Sequence, residues 1–326
     1  FSHPCSPFFP YQFHYAVIAM KANHGAGKVI AKHQKVIEDS LDVECLTACR
    51  HANGRDWWIL VPEIDGDAFY TVLFDDKGVH VINKQEPVQG APIPQAVGGA
   101  AFSPDGKTFA YSHFNGASPV GDGGYLDIYD FNRCTGALTE RERINHAESG
   151  LGAVVFSPNS QLLYRLVGPF IVQYDVYADS IAETAIEMDT WETGTALPGL
   201  AYFSFGGITP EGEILGASGS DVSHWSVMHH PNRKGAACEL DLHSFELPAI
   251  VGSLPNFPHF RLGPIDGSTC DTLGIDNLPV AKFRAEPATD APTVWEFIDL
   301  SYYHPEEWLW DFGDGQSSTE QFPLHS

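Results

Sequence analysis

Residues 98–106 read GGAAFSPDG, and the same arrangement returns at 152–160 as GAVVFSPNS and at 206–212 as GGITPEG. Each copy joins a short apolar run to a Ser-Pro or Thr-Pro step, and these steps are separated by 54 and then 52 residues. Such steps, followed by Asp, Asn or Gly, favour tight turns because proline restricts φ and the small polar residues accept turn conformations. The chain therefore repeats a strand–turn–strand unit.

A further strand-like segment follows the first two copies: 126–131 reads LDIYDF and 171–176 reads IVQYDV. Repeats of about 40 to 55 residues, with several strands in each, are typical of the blades of a β-propeller, whereas a β-sandwich does not repeat in this way. We expect an all-β chain in which residues 1–287 form a six- or seven-bladed propeller, the blade number coming from the chain length divided by the period. The turns also resemble those of YncE-like and lactonase-like propellers.

A different pattern closes the chain, where residues 308–315 read WLWDFGDG. Aromatic residues alternate before a Gly-Asp-Gly turn, as in a strand that enters a hairpin. This stretch resembles the first half of a PKD domain, a small immunoglobulin-like β-sandwich common on extracellular proteins. The resemblance covers residues 288–326 and implies a partial second domain and a location outside the cell. Because half a sandwich cannot bury its own core, we expect the chain to be a piece of a longer polypeptide.

The composition excludes some classes of partner. Eighteen Lys and Arg residues oppose 42 Asp and Glu residues in the 326-residue chain, a net charge of −24. A field this acidic repels phosphate backbones and anionic lipids, so we expect no nucleic-acid partner and no membrane insertion. The acidic surface suits solubility, a saline habitat or the binding of cations. Ca²⁺ is the one cofactor that we consider on these grounds, and no other is expected.

The cysteines predict disulfide chemistry rather than a metal centre, because none of them forms a CxxC pair or a metal-type Cys/His spacing. An even number in an extracellular chain favours disulfides. Cys238 and Cys270 are the predicted pair, since they flank one loop-rich segment, while buried free thiols are the alternative. The chain has six cysteines: Cys5, Cys45, Cys49, Cys134, Cys238 and Cys270.

A first candidate binding site lies at 51–60, which reads HANGRDWWIL. Asn-Gly predicts a turn, and the adjacent Trp57 and Trp58 must point to opposite faces of the strand that follows. One tryptophan then belongs to the core. The other is either packed between blades or forms an aromatic platform for a sugar or peptide, with His51 and Asp56 as its polar partners.

A second candidate lies at 254–263, which reads LPNFPHFRLG. Its two prolines impose extended backbone and preclude a helix. Arg261 in this segment either clamps a ligand carboxylate or pairs with one of the many acidic side chains of the protein.

The motifs taken together resemble a group of propeller-plus-PKD surface proteins of Bacteroidetes. The order is HANGRDWW, SPDG, YDFNRCTG at 129–136, LPNFPHFRLG and then the PKD pattern. The resemblance implies secretion to the cell surface by the type IX or gliding-motility route, and it brings no catalytic residues. It also suggests O-glycosylation at Asp-Ser/Thr steps, for which Ser40, Ser180 and Thr272 are the candidates.

No catalytic signature is present: HExxH, GxSxG, Walker A and Rossmann patterns are all missing from the sequence. We therefore expect a non-enzymatic extracellular protein that acts in adhesion or binding, with other surface proteins or glycans as partners and the PKD region as a spacer. One alternative is a lactonase-like or glycan-active propeller hydrolase, with a site assembled from several blades. Another is a subunit of a surface fibre, which implies self-assembly.

Overall fold

The computed structural model describes residues 10–42, 45–64, 68–86, 98–114, 124–147, 152–188, 203–217, 223–249, 254, 257–288, 291–303 and 305–326. In these residues the chain is all-β, as predicted, and its helical segments are three single 3-10 turns at Asn23–Gly25, Ala182–Thr184 and Gly235–Cys238. Within the described part, no helix has the length and apolar character that crossing a bilayer requires.

The first strands form a long hairpin outside the repeating pattern. Strand β1 (Gln12–Ala19) pairs antiparallel with β2 (Lys28–Glu38). The hairpin is mostly exposed, but its base packs on the next sheet through Ile37 and Leu41, which contact Val61 and Val72.

Four sheets follow, each made of four antiparallel strands in the order in which they occur in the chain. Each is a simple up-and-down meander, the arrangement of a propeller blade. The strands are β3 (Thr47–Arg50), β4 (Trp57–Pro62), β5 (Phe69–Asp75) and β6 (Gly78–Gln85) in the first sheet; β7 (Gly99–Phe102), β8 (Thr108–Phe114), β9 (Gly124–Phe131) and β10 (Leu138–His146) in the second; β11 (Gly152–Phe156), β12 (Leu162–Val167), β13 (Phe170–Asp175) and β14 (Ile186–Glu187) in the third; and β15 (Phe205–Ile208), β16 (Ile214–Ala217), β17 (His224–Met228) and β18 (Leu240–Glu246) in the fourth.

The predicted turns join the first two strands of the second, third and fourth sheets, and a hydroxyl group organises them. Ser103 Oγ accepts a hydrogen bond from the backbone N–H of Thr108 at 2.9 Å, and Ser157 Oγ accepts one from Leu162 at 2.8 Å. Three residues after the hydroxyl the backbone turns left-handed, with φ of 71° at Gly106 and 65° at Ser160. The repeat therefore encodes one hydrogen-bonded turn in each sheet, which is why it is visible in the sequence.

The sheets pack face to face around their first strands. Strand β7 lies beside both β3 and β11, and β11 lies beside β15. The apolar cores fill the spaces between sheets: Trp58 and Phe109 are in the first, Phe156 and Ile128 in the second. Radial packing of this kind is that of a β-propeller. The fold class predicted from the sequence is confirmed.

The described residues form four four-stranded sheets, against six or seven predicted blades. Within these residues, the hairpin at 12–38 and the segment at 257–282 do not contribute to any such sheet. The number of blades in the propeller stays a prediction.

The chain ends in two small sheets, one with β19, β20 and β23 and the other with β21 and β22. The predicted domain boundary at 287/288 falls inside β19, and the PKD sandwich remains a prediction. These strands are β19 (Phe283–Ala288), β20 (Ala291–Asp299), β21 (Trp310–Asp311), β22 (Ser317–Ser318) and β23 (Leu324–His325).

Candidate functional site

His51, a predicted ligand-binding residue, is held between the first and second sheets by both nitrogens of its ring. Nε2 donates to the carbonyl oxygen of Cys134 at 3.1 Å, and Nδ1 accepts the backbone N–H of Asn53 at 2.9 Å. The ring also packs on Trp58, with centroids 5.2 Å apart. Burial lowers the pKa of His51, which keeps the ring neutral. Both nitrogens are therefore used by the fold.

Asp56, a second predicted residue, closes the loop before β4. Its carboxylate accepts the Asn53 side-chain amide at 2.6 Å and Nε of Arg55 at 2.7 Å. Burial alone would raise the pKa of Asp56, but the hydrogen bonds from Arg55 and Asn53 outweigh it and lower the pKa. Gly54 has a φ of 78°, and a β-carbon there would lie 2.6 Å from Cδ of Pro264. The Asn-Gly pair thus serves a tightly packed structural loop.

Arg133 ties three parts of the chain together, and it was not among the candidates selected from the sequence. The buried guanidinium donates to the carbonyl oxygen of Arg50 at 2.9 Å and to that of Gly263 at 2.5 Å. The Arg133 carbonyl oxygen accepts the Trp58 indole N–H at 2.8 Å. No signal in the sequence marked it, because its partners at Arg50 and Gly263 are 83 and 130 positions away in the chain.

The predicted disulfide between Cys238 and Cys270 is wrong. Cys270 is bonded to Cys134, 136 residues away, with 5.6 Å between the Cα atoms. Cys238 is a buried thiol in the core between the third and fourth sheets, where burial raises its pKa to about 11. The prediction paired cysteines that are close in sequence. The fold instead places Cys270 against the turn that follows β9, which carries Cys134.

Trp57 and Trp58 point to opposite faces of β4, as predicted. Trp58 is buried, while Trp57 is partly exposed and lies opposite Arg50 on one side and Phe74 on the other. The Arg50 guanidinium carbon is 4.4 Å from the centroid of the Trp57 ring, and Phe260 meets that ring edge-on at 5.6 Å. Phe74 is 47% exposed and Phe260 is 52% exposed. We call Arg50, Trp57, Phe74 and Phe260 the aromatic row.

Charged side chains flank the aromatic row. Arg55 is 3.2 Å from the carboxylate of Asp76. The pair of His80 and Asp75, also 3.2 Å apart, belongs to the opposite face of the sheet, because His80 is paired with Leu73. Asp75 and Asp76 directly follow Phe74 in the chain. The exposed rings are thus bordered by both hydrogen-bond donors and acceptors.

A shallow cleft of about 540 Å³ opens on the outer side of the Arg133 turn. It mixes acidic, basic and apolar groups. Its lining residues are Asp105, Gly106, Lys107, Asp130, Phe131, Asn132, Arg133, Cys134, Ala137, Thr139 and Ile265.

Arg261 does not bind a carboxylate in any contact of the described residues. Its guanidinium donates to the carbonyl oxygen of Pro210 at 2.7 Å and stacks over Tyr302 at 5.3 Å. Burial, together with the positive charge of Arg261, lowers the pKa of the nearby His259 to about 4. This segment therefore docks against the propeller, and both of its side chains have structural contacts.

A buried polar cluster links β8, β9 and β10. Asp127 accepts two hydrogen bonds from Arg143, at 2.6 and 2.7 Å, and lies 3.3 Å from Nε2 of His113. Burial alone would raise the pKa of Asp127, but the bonds from His113 and Arg143 outweigh it and lower the pKa. Nδ1 of His113 has no hydrogen-bond partner among the described residues.

One group of side chains in the described residues has the spacing of metal ligands. His230, Glu286 and Glu296 place one ligand atom each within 4.8 Å of the others. Burial raises the pKa of Glu286. Sequence reasoning missed this group because its members come from separate strands with no fixed spacing.

The predicted glycosylation sites differ in exposure. Thr272 is exposed, and Ser40 and Ser180 are half-buried. Asp39, beside Ser40, accepts a hydrogen bond from Tyr70 at 2.5 Å. Glycosylation of all three remains a prediction.

No protein-family model matches the chain, and no curated protein matches it in sequence. Solved structures match it at low similarity. A candidate 6-phosphogluconolactonase from Bacteroides fragilis is 15% identical, with a TM-score of 0.38 over 55% of this chain and 47% of that one, so this chain spans about half its length. A second, from Bacteroides uniformis, is 12% identical, with a TM-score of 0.41 over 95% of this chain and 78% of that one. A protein from Lactobacillus plantarum is 12% identical, with a TM-score of 0.41 over 93% of this chain and 76% of that one. Similarity this low transfers no activity to the chain.

Proposed function

We propose that this chain is an extracellular binding protein whose first sheet recognises a carbohydrate at the aromatic row. The observation that carries the proposal is the partly exposed ring of Trp57 beside the exposed rings of Phe74 and Phe260. Large aromatic side chains gain most by burial, so exposed rings held side by side favour a recognition surface.

The dimensions and surroundings of the row favour a sugar over an extended apolar partner. Cross-strand neighbours such as Trp57 and Phe74 are about 4.5–5.5 Å apart, close to the width of a pyranose ring. The apolar face of a sugar stacks on an aromatic ring, while its hydroxyl groups need donors and acceptors at the edge. Arg55 and Asp76 supply both kinds of group.

Two further features support the proposal. The Cys134–Cys270 disulfide is the kind of bond that persists in oxidising compartments, which supports an extracellular location. The net charge of −24 disfavours phosphorylated or sulfated ligands and thus supports a neutral glycan. Binding to surface glycans would make the protein an adhesin, with the residues after 288 as its spacer.

The test is a glycan array probed with the whole chain, followed by calorimetry on each glycan that binds. Trp57→Ala and Phe74→Ala should weaken binding about tenfold or more, since stacked rings contribute roughly 1–3 kcal/mol each. Phe245→Ala is the matched control, because Phe245 is an equally exposed aromatic in the fourth sheet. An array without hits, or binding that Phe245→Ala weakens as much as Trp57→Ala does, would contradict the proposal.

A second candidate function is hydrolysis of a lactone, in which water adds across the ester C–O bond. The observation that favours it is the His113–Asp127 pair: Nδ1 of this buried ring has no hydrogen-bond partner among the described residues and would act as a general base for water once a substrate opens access to it. Turnover of a sugar lactone that is abolished by His113→Asn and retained by His230→Asn would support hydrolysis. A folded protein that turns over no lactone would contradict it.

A further inference from the structure

The residues His230, Glu286 and Glu296 meet where the fourth sheet contacts the hairpin of β19 and β20. His230 lies two residues after the end of β17, and only 7% of its surface is exposed. Glu286 and Glu296 are directly opposite each other in the pairing of β19 with β20. Like charges at such positions repel each other, so this pair needs a cation between or beside them.

The imidazole of His230 is oriented as a metal ligand would be. Nε2 lies 3.3 Å from a carboxylate oxygen of Glu239, which fixes the proton on that nitrogen. Nδ1 lies 2.8 Å from Glu286 Oε1 and 3.6 Å from Glu296 Oε2. No hydrogen bond from the described residues satisfies Nδ1. A carboxylate that orients a histidine from the far side is the usual support of a metal-bound imidazole.

The separations agree with metal coordination. Two ligands at about 2.0–2.1 Å from a tetrahedral ion lie roughly 3.3 Å apart. The distances of 2.8 and 3.6 Å from Nδ1 to the two carboxylates bracket this value, and all three ligand atoms lie within 4.8 Å of one another. An ion placed among them would contact one nitrogen and two oxygens.

The charge around the group is also unbalanced. Arg284 contacts Glu213 and Glu286, and Arg233 contacts Glu296. With Glu239, four carboxylates of the described residues therefore face two guanidinium groups, so carboxylates outnumber guanidinium groups around the proposed ligands.

We propose that His230, Glu286 and Glu296 bind a divalent transition-metal ion that fastens the β19–β20 hairpin to the fourth sheet. One imidazole and two carboxylates suit Zn²⁺ or Mn²⁺ better than Ca²⁺, which takes oxygen ligands. Water completes the coordination. The site is structural, because its ligands come from the two elements that it joins.

The test uses the whole chain, stripped with a chelator and titrated with Zn²⁺ by calorimetry, with Co²⁺ as a spectroscopic probe. We expect one strong site, visible d–d absorption of bound Co²⁺, and a rise in Tm on metal addition. His230→Gln, Glu286→Gln and Glu296→Gln should each weaken binding about tenfold or more and remove the rise in Tm.

His229→Gln is the matched control, since the neighbouring His229 contacts Glu213 and Asp241 instead of the proposed ligands. It should retain the strong site. Zn²⁺ binding that is equal in wild type and His230→Gln would show adventitious contact with other histidines and overturn the proposal. A folded wild-type protein with no Zn²⁺ or Mn²⁺ binding would overturn it as well.

Discussion

The indole N–H of Trp58 donates a hydrogen bond of 2.8 Å to the carbonyl oxygen of Arg133, 75 positions further along the chain. Both residues are buried, and the bond joins β4 of the first sheet to the turn after β9 of the second. The HANGRDWW motif therefore has a structural role on one face of β4 and presents Trp57 on the other.

Replacement of Trp58 by Phe should lower the free energy of unfolding by about 1–3 kcal/mol. The change deletes the donor to a buried carbonyl oxygen and removes part of a core ring. Trp57→Phe is the matched control and should change stability by less than about 1 kcal/mol. Denaturant unfolding of both variants tests this. Equal losses of unfolding free energy would contradict the conclusion that Trp58, and not Trp57, has the structural role.

The Cys134–Cys270 bond should contribute strongly to stability because it closes a long loop. A loop of more than 100 residues corresponds to roughly 2–5 kcal/mol in the free energy of unfolding, which Cys134→Ser should remove. Alkylation of unfolded, unreduced protein followed by peptide mapping should modify Cys49 and Cys238 but neither Cys134 nor Cys270. Modification of Cys270, or a peptide that links it to Cys238, would refute the pairing.

Gly54→Ala should lower the free energy of unfolding more than Gly267→Ala does. Both glycines have positive φ, 78° and 71°, so both substitutions carry the same backbone strain of about 1 kcal/mol. At Gly54 a β-carbon would also lie 2.6 Å from Pro264, whereas nothing lies within 4 Å of one at Gly267. We expect an additional loss of about 1–3 kcal/mol at Gly54, measured by denaturant unfolding. Equal losses would show that the loop has room to shift.

His259 should make the protein less stable as the pH falls. Burial lowers the pKa of its folded form to about 4, from an ordinary value of 6.5. Between these values the unfolded chain takes up a proton that the folded chain does not. The contribution of His259 to the free energy of unfolding is therefore fully present above pH 6.5. It declines by on the order of 3 kcal/mol as the pH falls toward 4.

The His259→Gln variant supplies the comparison. It should show a flatter dependence of unfolding free energy on pH between 6.5 and 4, measured with denaturant at several pH values. Parallel profiles for wild type and variant would indicate that other groups cause the acid sensitivity.

The parts of the fold that could be predicted from the sequence are those that depend on interactions within a few residues. Ser103 and Ser157 organise turns by hydrogen bonds that span five residues, so the pattern is present in any short window of the sequence. The alternation of Trp57 and Trp58 follows in the same way from strand geometry. The number of blades stays a prediction, because it depends on which segments of the whole chain join a four-stranded sheet.

The candidate site could be predicted only in part. The sequence analysis selected Trp57, which lies in the exposed aromatic row, but it also selected His51 and Asp56, whose polar atoms are used inside the fold. It missed Arg133 and His230, whose partners come from distant strands. A side chain's availability to a ligand depends on how many of its polar atoms are already bonded, and those partners are set by tertiary contacts.

The sequence by itself determined the all-β repeat, the turns between strands and the opposite orientation of two tryptophans, because each depends on interactions within a few residues. Tertiary structure alone decided that Cys270 joins Cys134 and that Glu286 and Glu296 meet His230. Those contacts depend on which sheet faces pack together, and the free energy of that packing is summed over residues far apart in the chain.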